Sequence, residues 1–242
     1  ETNRRFGTAP AEADFARGAA RFLTAERVEG PLFSTFAAGS YFTWALPQEK
    51  VFIDGRLEVH TAQHYERYLR MVQGGAAWAE ADRQYRFNAA VVEYMVAMPL
   101  ALERLGDPEW APVFLDEMTL VFARRNGRNA ALIERRGITL ERLRERFPAL
   151  ELAAEDGPPA LPAPPSALAR LFTAVRLPWT RMNLGQLLIA LNRPAHAAPE
   201  LAAAVRQAPG LGAPRVLLAS ALNGMGRPPA ALAVLETADG LV

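Results

Sequence analysis

Between Gly30 and Arg56 the chain alternates apolar, aromatic and again apolar stretches, GPLFSTFAAGSYFTWALPQEKVFIDGR. Pro31 to Phe36 is too short and too rich in β-formers for a helix and predicts a strand. Gly39 to Leu46 lies between a glycine and a proline, which bound one helical segment. Val51 to Ile53 predicts a second strand, with a turn at Asp54-Gly55, because glycine accepts φ > 0 without a Cβ clash. Asp54 and Arg56 are thereby expected at a strand's carboxyl end, where open α/β sheets form their crevices.

The pattern on either side fills in the remaining elements. Phe15, Ala19, Phe22 and Leu23 recur at helical spacing and predict a helix over Ala9 to Thr24, with Pro10 near its start. Tyr65, Tyr68, Leu69 and Val72 predict another from about Ala62 to Gln73, ended by Gly74-Gly75. Trp78 to Tyr85 reads as a short helix, Phe87 to Val92 as a strand and Pro99 to Leu105 as a helix. Trp110 to Leu115 and Met118 to Ala123 are β-rich runs separated only by Asp116-Glu117, the spacing of a tight hairpin. Strands separated by helices and followed by a hairpin predict an α/β fold, a small mixed sheet covered by helices.

After Arg124 the pattern turns wholly helical. Arg128 to Arg136 and Leu140 to Phe147 are arginine-rich amphipathic segments, and GPPALPAPP, Gly157 to Pro165, reads as a stiff polyproline-like linker. The expected organisation is an α/β domain over 1–127, a helical connector over 128–156, the Pro-rich linker over 157–165 and an all-α domain over 166–242. In that last part a period of 34 residues aligns Leu184, Gly185, Leu188, Asn192, Arg193 and Pro194 with Leu218, Ala219, Leu222, Gly226, Arg227 and Pro228. Small residues at Gly185, Ala197 and Ala204 let paired helices approach. The segment from about Pro178 to Gly240 resembles the tetratricopeptide repeat, without its aromatic near Arg181. Two such units cannot bury their faces alone, so a cap is expected, either the helix from Ser166 to Val175 or the α/β domain.

Composition removes several classes of function. Half of the residues are hydrophobic, enough for a core, and the net charge is +1 with acids and bases interspersed. No basic stripe for nucleic acid is expected, and the charges read as a solvated surface. The absence of cysteine excludes disulfides, thiolate nucleophiles and Cys-ligated metal clusters. No run of about 18 apolar residues occurs. The chain opens at Glu1, which points to a processed protein or a domain cut from something longer.

Candidate chemistry centres on Asp54 and Arg56, a carboxylate and a guanidinium that can bind or act on a polar ligand. The plainer alternative is a turn capped by Asp54 and paired with Arg56. Trp44 and Tyr41 can stack on a sugar or fill a core. His60 and His64, four apart with Glu58 nearby, have metal-ligand spacing, but no further ligand or HExxH-type base accompanies them; an exposed pair is expected, with no metal and no cofactor. Asp116-Glu117 reads as a solvated hairpin tip. Trp179, Met182, Gln186, Ile189, Ser220 and Asn223 would line a concave face on the repeats, holding a peptide or protein partner or else packing on the α/β domain.

Gly39, Tyr41, Trp44, Pro47 and the run Val51-Phe52-Ile53-Asp54-Gly55-Arg56 resemble a pattern in bacterial polytopic membrane proteins of the GT-C glycosyltransferase-like type. Trp110, Asp116 and Arg124 fit the same pattern, whereas Gly39-Ser40-Tyr41 stands where such proteins have Gly-Gly-Tyr. The resemblance covers roughly Arg21 to Arg124 plus the repeats. It implies an extracytoplasmic domain, periplasmic or at the cell surface, tethered by upstream membrane spans outside this chain. It further implies binding or positioning of an acceptor, a glycan or a lipid-linked sugar, with the repeats recruiting a partner. In that family the catalytic carboxylates lie on loops of the membrane region, so no catalytic residue carries over. Two alternatives from other classes stand beside it: a non-enzymatic repeat scaffold that binds a peptide or protein, and a soluble enzyme using Asp54 and Arg56.

Overall fold

The computed structural model describes residues 16–56, 58–139, 142, 158–166 and 177–238. The chain forms two compact units that divide between Thr139 and Leu140. The expected helix over Leu140 to Phe147, the possible cap over Ser166 to Val175 and the first part of the Ala9 to Thr24 helix lie outside the described residues, apart from Arg142, Ser166 and the positions from Ala16 on.

The first unit is a mixed four-stranded sheet covered by helices. Its elements are α1 (Arg17–Glu26), β1 (Leu32–Ser34), α2 (Phe36–Ala45), α3 (Ala62–Met71), α4 (Gly75–Tyr85), β2 (Ala89–Glu93), α5 (Met98–Gly106), β3 (Trp110–Leu115), β4 (Thr119–Arg124) and α6 (Ala130–Arg136). The strand order is β1-β2-β4-β3. β1 runs parallel to β2, with Phe33 opposite Ala90, and both other pairings are antiparallel. β3 lies at an edge, which tolerates Pro112, and the ladder slips by one residue just after it.

Alternation along the strands separates two cores. Ala89, Val91 and Val121 face Leu23, Phe42 and Leu132 from α1, α2 and α6. On the other side Phe33 meets Trp78 edge-on at 4.9 Å, and Trp78 meets Trp110 at 6.1 Å. Every residue of β2 is buried, as a strand covered on both faces must be. Leu132 of α6 sits in the first core and the Ile138 amide donates to the Pro112 carbonyl at 2.8 Å, which is why this unit extends past Gly127 to Thr139.

Val51 to Ile53 is not a strand. The segment is an irregular loop, and its backbone is held by helices: the Phe52 carbonyl accepts from His64 Nε2 at 2.9 Å, and the Ile53 carbonyl lies against α2. A Cβ built on Gly39 would fall 1.9 Å from that carbonyl oxygen, so the absence of a side chain at Gly39 makes the approach possible. Phe52 and Ile53 are apolar because they are buried there, not because they pair in the sheet.

The described part of the second unit consists of α7 (Trp179–Ala190), α8 (Pro194–Gln207), α9 (Gly212–Gly224) and α10 (Pro228–Glu236), with residues 158–166 free of regular structure. α7 packs on α8, α8 on α9 and α9 on α10. The two helical hairpins turn alike. Asn192 and Gly226 both take left-handed φ, 55° and 72°, and the amides of Arg193 and Arg227 reach back to the Leu188 and Leu222 carbonyls at 2.8 and 2.9 Å. Pro194 and Pro228 then open the next helices, where a missing N–H costs nothing. Arg215 is fully buried and ties the 158–166 segment to the helices, donating to the Pro162 carbonyl at 2.8 Å and to Thr237 Oγ1 at 3.0 Å.

Candidate functional site

The loop after α2 carries the site, and α2 positions it. Gly39 admits the Ile53 backbone, and one residue on a Cβ built at Gly55 would meet Ser40 Oγ at 3.0 Å. Thr43 Oγ1, a turn beyond Gly39, lies 3.0 Å from the Gly39 carbonyl and 3.3 Å from Asp54 Oδ2; its one proton serves either acceptor. One flank of α2 thus supports Asp54-Gly55, and Trp44 stands one turn beyond Ser40 on that flank.

Asp54 is 2% exposed and fully engaged. Arg56 donates to it from its backbone amide at 2.9 Å and from Nε at 3.1 Å to each oxygen, while Nη2 reaches Oδ2 at 2.6 Å. His60 Nε2 lies 3.2 Å from Oδ1 and 3.3 Å from the Asp54 amide. When protonated, that nitrogen donates to Oδ1; in the other tautomer it accepts from the amide. The Arg56 guanidinium and these further donors hold the Asp54 carboxyl well below the usual carboxylate range, against the opposing effect of burial. Asp54 raises the pKa of Arg56 in turn. A carboxylate so held is a poor general acid or base at neutral pH. What the cluster leaves outward is Arg56, 57% exposed, with Nη1 free of described partners.

Asp54 and Arg56 come together, but on a loop and not at a strand end. Trp44 is 74% exposed and therefore no core residue, and the half-buried Tyr41 ring lies 5.7 Å from it. His60 and His64 are not an exposed pair on one helix. His60 precedes Thr61, which caps α3, and both rings are half-buried and stacked at 5.3 Å. Asp116 is not simply solvated at the hairpin tip: its Oδ1 accepts from the amides of Met118 and Thr119 at 3.0 and 2.7 Å, closing the turn. Among the described residues no three His, Asp or Glu side chains are grouped to hold a metal ion.

Sequence reasoning passed over two features. Glu93, at the end of β2, is buried and accepts from Thr35 Oγ1 and from the Ala38 amide at 3.1 Å, anchoring the first turn of α2. Beside the Asp54 loop lies a cavity of about 650 Å³ with walls of Phe52, Tyr85 and Phe87 and with Glu49 and Lys50 on its lining. His64 links the two places, since its ring lines the cavity and stacks on His60. On the helices of the second unit, Trp179 is 45% exposed, Ser220 and Asn223 are exposed, and Gln186 and Ile189 are half-buried; Met182 is 7% exposed and belongs to the packing between helices.

No protein-family model matches the chain, and neither does any curated protein or solved structure. Among the described residues no helix is long and apolar enough to cross a membrane.

Proposed function

We propose that this chain is the extracytoplasmic domain of a membrane glycosyltransferase-like protein and that it binds and positions a lipid-linked sugar without breaking bonds. The observation that carries this reading is the pairing of a committed carboxylate with an outward guanidinium. Asp54 is buried under donors, while Arg56 keeps one edge open beside the flank that bears the exposed Trp44. A guanidinium edge suits a phosphate, and an indole face suits a sugar ring. The helical hairpins are read as tetratricopeptide repeats, supported by the matching Asn192 and Gly226 turns and by Gly185, where a Cβ would fall 2.5 Å from Leu201 Cδ2.

Calorimetric titration of the chain with a water-soluble short-prenyl diphosphate-linked sugar tests the proposal. Trp44→Ala and Arg56→Ala each weaken binding by about tenfold or more; Trp44→Ala leaves the thermal melt in place, whereas Arg56→Ala lowers it by taking the guanidinium from the buried Asp54 carboxylate, so its binding is read well below its own melt. Unchanged affinity in both variants rejects the reading. A second reading, a scaffold for a peptide or protein, is favoured by one observation. Val216, Ser220 and Asn223 share an exposed face of α9 at helical spacing, which a partner can cover. Loss of a co-purifying partner on substituting Gln186 and Asn223 would establish it.

A further inference from the structure

The α/β unit has another concavity, of about 1070 Å³, where β2 begins, at the opposite end of that strand from Glu93. Four arginines line it. Arg83 and Arg86 come from the end of α4, Arg124 from the end of β4 and Arg128 from the turn before α6. Its two lining carboxylates, Asp82 and Glu109, are both taken by Arg124. Nη2 of Arg124 bonds both Asp82 oxygens, Nη1 lies 3.3 Å from Glu109 Oε2, Nε donates to the Phe87 carbonyl at 2.7 Å, and the guanidinium sits 4.5 Å over the Trp110 ring. Arg124 is thus a structural strut.

The other three have no carboxylate partner among the described residues, and all three are exposed. Arg128 Nη1 lies 3.3 Å from the Gly30 carbonyl, which holds it against the segment leading into β1. Arg86 has left the helical conformation, with φ 52°, at the point where α4 ends. Four positive against two negative lining groups leave a surplus of two positive charges in one concave place. A concavity focuses such a field, and several guanidinium forks facing one space suit the oxygens of a phosphoryl group. Pro31, Tyr85 and Phe87 line both this concavity and the 650 Å³ cavity, and the Tyr85 and Phe87 rings stack at 5.6 Å. An aromatic ridge therefore joins a cationic room to a mostly apolar one.

We infer that the arginine concavity is a phosphoryl-anion site for a ligand of the diphosphate class, whose ring or apolar portion crosses Tyr85 and Phe87 into the neighbouring cavity. Arg83, Arg86 and Arg128 supply the binding charge, and Arg124 fixes the floor. The inference is independent of the role proposed for Arg56.

The test is calorimetric titration of the full chain with inorganic diphosphate at low ionic strength. Saturable binding of one diphosphate per chain is expected, weakened about tenfold or more in the double variant R83E/R128E and by added salt. Both reversed positions are exposed, so thermal melts should match the parent chain. Neutral phosphatidylcholine vesicles doped with phosphatidic acid separate the sources. Vesicle binding that needs Arg83 and Arg128 and is displaced by diphosphate assigns a lipid headgroup. Diphosphate binding without vesicle binding assigns a free phosphorylated ligand. Absence of binding at millimolar diphosphate, or binding that R83E/R128E leaves intact, overturns the inference.

Discussion

Both oxygens of Asp54 are occupied by donors from its own loop, and this decides what the residue can do. Its carboxyl is held low first by the Arg56 guanidinium. A group whose pKa is depressed on folding stabilises the fold above its unfolded value of about 4 and loses that contribution as pH falls below it. Asp54→Asn should therefore flatten the acid side of a plot of Tm against pH, and should destabilise the fold by about 2 kcal/mol at neutral pH by leaving donors poorly matched. Some acid dependence remains in the variant, since Arg136 and Arg135 lower the Glu26 pKa in the same direction. Identical acid slopes for the two proteins would show that Asp54 is not held as described. The Asp54 and Arg56 pairing was legible in sequence, because a turn brings residues two apart together. The role of His60 was not, because its approach depends on where α3 begins and on the stacking of His64.

At the scale of elements, period-2 and period-3.6 patterns located β1 to β4 and the helices α2 to α5 within a few residues. Val51 to Ile53 misled because an apolar triplet reports burial and not the partner that supplies it. Here the partners are α2 and α3 rather than a strand. Two glycines test this account of packing against each other. A methyl group at Gly39 meets the Ile53 backbone, which cannot move without displacing the Asp54 loop. At Gly185 it meets Cδ2, Cγ and Cδ1 of the buried Leu201 at 2.5, 2.6 and 3.1 Å, side-chain atoms that can shift more readily than the Ile53 backbone. Gly39→Ala should cost about 3 kcal/mol in denaturant unfolding, and Gly185→Ala nearer 1 kcal/mol, with strain as the common cause. The reverse order would contradict the proposed support of the loop by α2.

At the scale of the molecule, the 34-residue period was visible because its hairpins repeat one turn chemistry, asparagine or glycine followed by arginine and proline. The arginine concavity was not visible, since Arg83 and Arg128 lie far apart in the chain and read singly as solvated charge; only the fold collects them. The central claim concerns the Asp54 loop, which is proposed to hold a ligand and leave its bonds alone. The most direct measurement follows binding and chemistry in one sample: the chain is incubated with a short-prenyl diphosphate-linked sugar while bound and cleaved ligand are both quantified. In the R83E/R128E background, where the arginine concavity is silent, the account predicts saturable binding that Trp44→Ala with Arg56→Ala removes, and a sugar–phosphate bond that stays intact throughout. Cleavage of that bond, abolished by Asp54→Asn, would contradict it.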